Sequence, residues 1–313
     1  MARKIIIDCD PGIDDAVALT MALFDPRIEV LGITATAGTI DSETATHNAL
    51  AVLSALDPPR YPRVGAAGPI ENAPVTSDDE LHGSDGLGET NLPAVVPGHI
   101  KSSDKVIGDL AAAHPGEITL VCLGPLTNLA RVCRFEPAAI ELIDRIVISG
   151  GAHRVAGNAT VVAERNMHFD SPAADTVFQS AITKQLVPLD VTDSVAFGAS
   201  VLEELPPRHT RAGGLLHKML GHAFRASHRQ LGRETMPLYD PVTMLAVIEP
   251  EYFTWEPIAG RVETRGELTR GMTVFDTRLR RQWPENMEIA TACDETEVHR
   301  EILRALRYAG QQT

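Results

Sequence analysis

The chain is poor in the features of secreted, membrane-spanning or nucleic-acid-binding proteins. It has four cysteines in 313 residues, Cys9, Cys122, Cys133 and Cys293, with no CxxC spacing. Three fall in apolar strand or helix patterns, which predicts buried free thiols in a reducing cytoplasm. No apolar run is long enough to span a bilayer, and strand-like sequence follows Met1 with no leader-type apolar stretch. Positive charge is scarce: 28 Lys and Arg stand against 42 Asp and Glu, a net charge of −14. Neither a nucleic-acid backbone nor an anionic membrane suits such a chain, whereas a neutral or cationic small ligand does. With no low-complexity linker and no internal repeat, one domain is expected over residues 1–313.

Strand and helix patterns alternate through the first two-thirds. Strands are expected near residues 5–7, 29–36, 63–66, 117–123, 144–149 and 185–189. Between them lie helices near 14–20, 42–56, 105–114, 128–134 and 172–179. This β–α alternation predicts an α/β fold, a doubly wound, mostly parallel sheet flanked by helices. From about residue 195 a helical and β-rich C-terminal subregion takes over. It has helices at 214–231, 240–248 and 295–308, and strand-like pieces near 258–262, 273–275 and 287–292. Two long loops stand out, 76–99 and 150–170, and loops of that length in compact proteins tend to carry function.

The densest chemistry is the run Asp8-Cys-Asp10-Pro-Gly-Ile-Asp14-Asp15-Ala. An apolar β-branched strand ends at Pro11-Gly12, and a helix opens at about Asp14. One aspartate could cap that helix and another could favour its dipole. Four at one strand-to-helix junction repel unless protons or a cation neutralise them. All-oxygen ligation selects a hard ion, Ca²⁺ or Mg²⁺. Further along stand Gly150-Gly151, Gly157-Asn158 and Glu164-Arg165-Asn166 with Asp170, then Tyr239-Asp240-Pro241, Gly124-Pro-Leu-Thr-Asn128 and His82-Gly-Ser-Asp85-Gly-Leu-Gly88. Amides beside a carboxylate suit a sugar, whose hydroxyls both donate and accept.

These segments, taken in their chain order, resemble the inosine–uridine-preferring nucleoside hydrolases. The resemblance implies hydrolysis of the N-glycosidic bond of a ribonucleoside to free base and ribose, in nucleoside breakdown, with Ca²⁺ as cofactor. It assigns the ion to Asp10, Asp15, Asp240 and the backbone carbonyl of Leu123. Asp10 is the base that takes a proton from the attacking water. Asp14, Thr39, Asn158, Glu164, Asn166 and Asp240 are expected to hold the ribose, with His82, Arg165 and Tyr239 around the leaving base. A cytoplasmic homodimer or homotetramer is the corresponding assembly.

The departures are Arg165, Tyr239, Thr39, Val161 where a Pro is usual and Ser149 where a Met is frequent, and the first two fall on the base side. Arg165 stands where the family has Phe, and its planar guanidinium can cover a base. Thr39 replaces an Asn, and Tyr239 replaces the His proposed as leaving-group acid. A tyrosine's pKa lies roughly 3.5 units above that of histidine, so with a Brønsted slope of about one half it gives on the order of 50-fold weaker assistance. His82 is the substitute donor. Three competing readings follow: an N-ribohydrolase for a non-standard N-riboside, a catalytically weak ribose-binding member, and a Mg²⁺-dependent phosphohydrolase with Asp8 as nucleophile. The last requires Thr or Val where the chain has Gly12.

Overall fold

Ile5, Ile6 and Ile7 explain the centre of the molecule. All three are fully buried, but on opposite faces of one strand. Ile5 and Ile7 belong to the buried cluster that includes Leu245, Val298 and Ile302, and Ile6 to the one that includes Val106, Leu129 and Val177. A strand apolar on both faces must lie inside a sheet covered on both sides, and each isoleucine contributes about 2 kcal/mol by leaving water. The computed structural model, which describes residues 2–70 and 79–313, has this three-layer architecture.

The strands are β1 (Arg3–Cys9), β2 (Ile28–Ala35), β3 (Arg63–Gly65), β4 (Ile118–Cys122), β5 (Ile143–Ser149), β6 (Lys184–Val187), β7 (Ala196–Gly198), β8 (Thr235–Pro237), β9 (Phe253–Ile258), β10 (Gly260–Val262), β11 (Thr273–Phe275) and β12 (Met287–Cys293). Eight form the main sheet in the order β3-β2-β1-β4-β5-β6-β12-β9, while β10-β11 and β7-β8 are separate antiparallel pairs. All neighbours in the main sheet are parallel except β12 and β9. The order reverses between β1 and β4, so the crevice beyond their carboxyl ends is the topological switch point, where ligands bind in open α/β sheets.

The helices Ile13–Phe24, Tyr239–Ile248 and Glu295–Gln312 cover one face, and Ser103–Ala113, Thr127–Phe135 and Ser171–Gln179 cover the other. The helix Ser42–Leu56 falls where its apolar periodicity puts it, with Asp41 accepting from the Glu43 and Thr44 amides as N-cap. Four local expectations change. The strand at 258–262 is two strands, since Phe253–Ile258 pairs with β12 and Gly260–Val262 turns to pair with β11. The last helix continues past residue 308 to Gln312. The 150–170 loop contains the short helix Arg165–Phe169, nucleated by Glu164 as N-cap. The 76–99 loop contains the helix Asp79–His82, and residues 76–78 of it lie outside the described residues. The C-terminal region also extends the main sheet through β12 and β9. All four cysteines are free; Cys9 and Cys122 are buried, and Cys133 and Cys293 are partly accessible. Among the described residues no helix is long and apolar enough to cross a membrane.

Candidate active site

Asp8 is the last-but-one residue of β1 and is completely buried. Its Oδ1 accepts from Thr34 Oγ1 at 2.6 Å and from Asn128 Nδ2 at 2.8 Å. Asn128 Nδ2 also reaches the Ala35 carbonyl at 2.9 Å, so the Gly-Pro-Leu-Thr-Asn turn after β4 is tied to both β1 and β2. Asp8 is thus held by its neighbours on the adjoining elements, an arrangement that organises the switch point. Its other oxygen, Oδ2, has no hydrogen-bond partner.

Two residues on, Asp10 turns into the crevice. Its Oδ2 accepts the Thr39 backbone N–H at 2.6 Å, and the Thr39 hydroxyl engages the same carboxylate. Gly38 and Gly124 flank Asp10 so tightly that a methyl group on either would overlap its carboxylate. The helix Ile13–Phe24 then begins on Gly12, whose N–H is accepted by Asp15 Oδ2 at 3.0 Å, half of a capping box. Asp15 Oδ1 is buried and unpartnered. Asp240, in the first turn of the helix Tyr239–Ile248, accepts from Ser149 Oγ at 3.2 Å.

Among the described residues, Asp14, Asp15 and Asp240 bring carboxylate oxygens within 4.8 Å of one another, a group able to hold a metal ion. Asp10 faces the same cavity. Burial pushes the carboxyls of Asp8 and Asp10 up to about 7, and for Asp10 the neighbouring Asp14 adds to the rise. Asp15 and Asp240 are also raised well above the usual carboxylate range, first by burial and then by the other aspartates. Buried carboxylates that repel one another, one of them with an orphaned oxygen, form a donor set that a hard divalent cation fits. The Leu123 carbonyl lies on the same floor and accepts from Asn166 Nδ2 at 2.6 Å. That nitrogen also bonds the Ser149 carbonyl at 3.1 Å, which locks the Asn166 amide across the ends of β4 and β5.

Glu164 is bound more completely than a ribose contact needs. Its oxygens accept the backbone N–H groups of Asn166 (2.9 Å), Gly151 (3.1 Å) and Met167 (3.1 Å). It is an N-cap as well as a cavity residue, and burial raises its pKa despite those bonds. Asn158 Oδ1 accepts the Arg165 N–H at 2.9 Å, which leaves the Asn158 amide nitrogen for the cavity.

The expected base-side residues also meet here. His82 lines the cavity, and its Nδ1 accepts the Ile13 N–H at 3.2 Å. That bond makes the ring neutral, with the proton on Nε2, and burial lowers its pKa. Tyr239 lines the same cavity as Asn158 and Asp193, and its pKa is raised by burial and by the Asp193 charge. The Arg165 guanidinium exerts its field on both Asp10 and Tyr239. Every residue expected at the site therefore lines one cavity of about 680 Å³.

Two charged lining residues escaped the sequence reading. Asp193 follows the short helix Leu189–Thr192 after β6, and Arg233 follows the helix Arg211–Leu231. The segment Leu189-Asp190-Val-Thr-Asp193 follows a parallel strand, and the rule for strand carboxyl ends could have found it. Arg233 carries no such signal.

A carboxylate floor at a switch point, walled by amides and one neutral imidazole, suits a sugar together with a cation. The class it defines is a hydrolase acting on an N-glycosyl compound, and comparison with known proteins agrees. The chain belongs to the inosine-uridine preferring nucleoside hydrolase family, whose model matches residues 5–300. It is 37% identical to a probable uridine nucleosidase 2 of Oryza sativa over 91% of this chain and 85% of that protein. It is 36% identical to a pyrimidine-specific ribonucleoside hydrolase of Klebsiella pneumoniae over 88% and 89%. Among solved structures, a purine-preferring ribonucleoside hydrolase from Gardnerella vaginalis superposes with a TM-score of 0.91 at 27% identity, covering 99% and 100%. A plant nucleoside hydrolase gives 0.88 at 30% identity, covering 98% and 99%.

Proposed function

We propose that the protein hydrolyses the N-glycosidic bond of pyrimidine ribonucleosides, uridine first, with Ca²⁺ as cofactor. The observation that carries the reading is the meeting of Asp10, Asp14, Asp15 and Asp240 in one cavity at the β1/β4 switch point, with an orphaned oxygen on Asp15. The preference for uridine rests on the relatives named uridine nucleosidase or pyrimidine-specific hydrolase. Asp10, Asp15, Asp240 and the Leu123 carbonyl are the proposed holders of the ion. Asp14, on the same floor, is close enough to share that role or to hold a ribose hydroxyl. When bound, the ion supplies Lewis-acid activation of water and a grip on the vicinal ribose hydroxyls.

The remaining work belongs to the side chains. Asp10, ionised beside a positive charge, takes the proton of the water that attacks C1′. The floor carboxylates favour the positive charge that develops on the ribose ring as the bond breaks. Asp14, Thr39, Asn166 and Asp240 orient the hydroxyls, and Asn158 and Glu164 close the far end of the sugar. His82 offers Nε2–H to the base but, being neutral, gives it a hydrogen bond rather than a ready proton. A leaving group that tolerates negative charge is thereby favoured.

The test is reducing-sugar release from inosine, adenosine, guanosine, uridine and cytidine, with and without chelator. Chelator-sensitive release, fastest from uridine and lost in Asp10→Ala, is the expected result. Equal rates on ribo- and 2′-deoxyribonucleosides would contradict the role given to the vicinal hydroxyls. Ribose binding without release would favour the non-catalytic reading.

A further inference from the structure

Asn48 is a buried amide in the helix Ser42–Leu56, where its inward neighbours Ala45, Ala49, Val52 and Leu53 are all apolar. A polar group placed there without partners is costly. Its Nδ2 donates to two carbonyls, that of Pro11 at 3.0 Å and that of Asp85 at 2.8 Å. Pro11 follows Asp10 at the exit of β1, and Asp85 lies in the loop that carries His82. We infer that Asn48 is a positioning residue for His82. By clamping both carbonyls it holds the imidazole against the start of the helix Ile13–Phe24, with Nε2 turned to the leaving base. The inference rests on the N-ribohydrolase reading and deepens its account of the base side.

Donor chemistry fixes the sense of the clamp. Carbonyl oxygens only accept, so Asn48 presents its NH₂ to both, and each hydrogen has its own acceptor. Gly86 makes the approach possible. It has φ +74°, and a methyl group on it would lie 3.0 Å from Asn48 Nδ2 and 2.9 Å from Ile40.

The loop beyond the clamp is closed on itself. The Asp85 carboxylate accepts the backbone N–H groups of Leu87 (2.8 Å), Glu89 (2.9 Å) and Asn91 (2.7 Å), and the Gly88 N–H donates to the His82 carbonyl at 2.6 Å. Restraint at the Asp85 carbonyl therefore reaches His82 through short bonds. At the other end, His82 Nδ1 accepts the Ile13 N–H at 3.2 Å, and the ring lies so close to Gly12 that a methyl group there would be 2.8 Å from Nδ1. The segment Pro11–Ile13 thus meets the loop twice, once directly through His82 and once through Asn48. Both partners have independent supports. Leu87 is buried and Gly88 packs on Met219 and His222 of the helix Arg211–Leu231, which keeps the loop folded without the clamp. Asp10 is held by Thr39, and Asp15 accepts the Gly12 N–H. Loss of the clamp should release His82 and leave the floor in place.

The test compares Asn48→Ser and Asn48→Asp with wild type, in the presence of Ca²⁺, each also in a His82→Ala background. Serine keeps one shorter donor, whereas aspartate keeps the shape and offers both carbonyls only acceptors. Steady-state kinetics are measured on uridine and on p-nitrophenyl β-D-ribofuranoside, whose leaving group needs no proton. For uridine, kcat should fall about fivefold in Asn48→Ser, the scale of one lost hydrogen bond, and further in Asn48→Asp. KM should move less, because the base accepts most strongly as it departs. For the nitrophenyl riboside kcat should stay within about twofold. In His82→Ala, adding either Asn48 substitution should change kcat for uridine by less than about twofold, because residues that act through one another are not additive. In protein labelled with ¹⁵N-histidine, the His82 ring is assigned by its loss in His82→Ala. It should show one tautomer, protonated on Nε2, in wild type and an exchanging mixture in Asn48→Ser.

Equal losses on the two substrates, additive losses in His82→Ala, or a His82 tautomer unchanged in Asn48→Ser overturn the inference, since each makes Asn48 a residue of the fold alone. A wild type whose His82 ring already exchanges between tautomers overturns it as well, and that measurement needs no variant to fold. If the wild type cleaves neither substrate, the N-ribohydrolase reading fails on its own account, and the tautomer comparison still decides the link from Asn48 to His82.

Discussion

The floor and the wall of the cavity are built on different principles. On the floor, Asp10 comes from the exit of the central strand, with Asp8 buried behind it on that strand, and Asp15 and Asp240 come from the first turns of two helices packed on the sheet. Each is buried and accepts a fixing bond: Asp8 from Thr34 of β2, Asp10 from Thr39, Asp240 from Ser149 of β5, and Asp15 from the Gly12 N-cap of its own helix. The wall is drawn from short pieces: the helices Asp79–His82 and Leu189–Thr192, the loop before Glu164, and residues 230–237. Its polar groups are more open, and several hold one another rather than the sheet. A floor anchored in the core can hold charge at fixed distances, which catalysis by electrostatics requires. A wall made of loops can change its side chains without disturbing the sheet. Of the departures from the family, Arg165 and Tyr239 line the wall, while Thr39 and Ser149 touch the floor through Asp10 and Asp240.

The comparison is broken most severely by disturbing the floor without removing a functional group. In Gly38→Ala the new methyl overlaps the Asp10 carboxylate, which is caught between Gly38 and Gly124. Displacing a base by about 1 Å is enough to cost on the order of 100-fold. Gly38→Ala should therefore lose about that factor in kcat on uridine. Gly98→Ala, where nothing lies near the added methyl, should leave kcat within about twofold. Equal effects at the two glycines would mean that the position of Asp10 is not critical.

A second prediction uses charge. Burial raises the floor carboxyls, to about 7 for Asp8 and Asp10 and upward for Asp15 and Asp240. The folded, metal-stripped protein therefore holds protons that the unfolded chain releases from about pH 4 upward. A raised carboxyl adds stability at low pH and loses it as pH rises through the folded pKa, so the stripped protein should be least stable above about pH 7. A cation that binds only the folded state at 100 times its Kd adds about 2.7 kcal/mol, which corresponds to roughly 5–10 °C in Tm for a chain of this size. Melting curves with chelator should show Tm falling from pH 5 to pH 8. Saturating Ca²⁺ should raise Tm far more at pH 8 than at pH 5. A gain independent of pH would separate the ion from these carboxylates.

The same contrast explains what could be read from the amino acids. Ile5–Ile7 followed by Pro11-Gly12 announces a buried strand and its exit, and the aspartates there need no tertiary knowledge to look crowded. Asn158, Glu164 and Asn166 were legible as a spaced set, but not Glu164's second role, because a carboxylate that caps its own short helix looks like one aimed at a ligand. The helix Arg165–Phe169 has only five residues, too few for periodicity to appear. The place of Asp193 after a parallel strand could be read, but not which residue shares its cavity wall: Tyr239 lies 46 positions away in the chain, and no local pattern encodes that proximity. Local rules read elements whose partners lie nearby in the chain or across a regular sheet; loop-to-loop contacts answer to the fold.

The gentlest way to sharpen the contrast is to change the wall toward the family pattern. Tyr239→His replaces a phenol by an imidazole whose reference pKa lies near neutrality. The negative charge of Asp193, which already favours the protonated form at this position, would favour the protonated ring. Leaving groups that need a proton should gain most. An increase of about tenfold in kcat is expected for inosine and adenosine, below the roughly 50-fold limit set by a Brønsted slope near one half. For p-nitrophenyl β-D-ribofuranoside the change should stay within about twofold, since its leaving group departs as the anion. Uridine should fall between them. A uniform gain across all these substrates would point to altered packing rather than acid assistance. A loss confined to uridine would show that the tyrosine ring itself, as part of the wall, is what selects a pyrimidine.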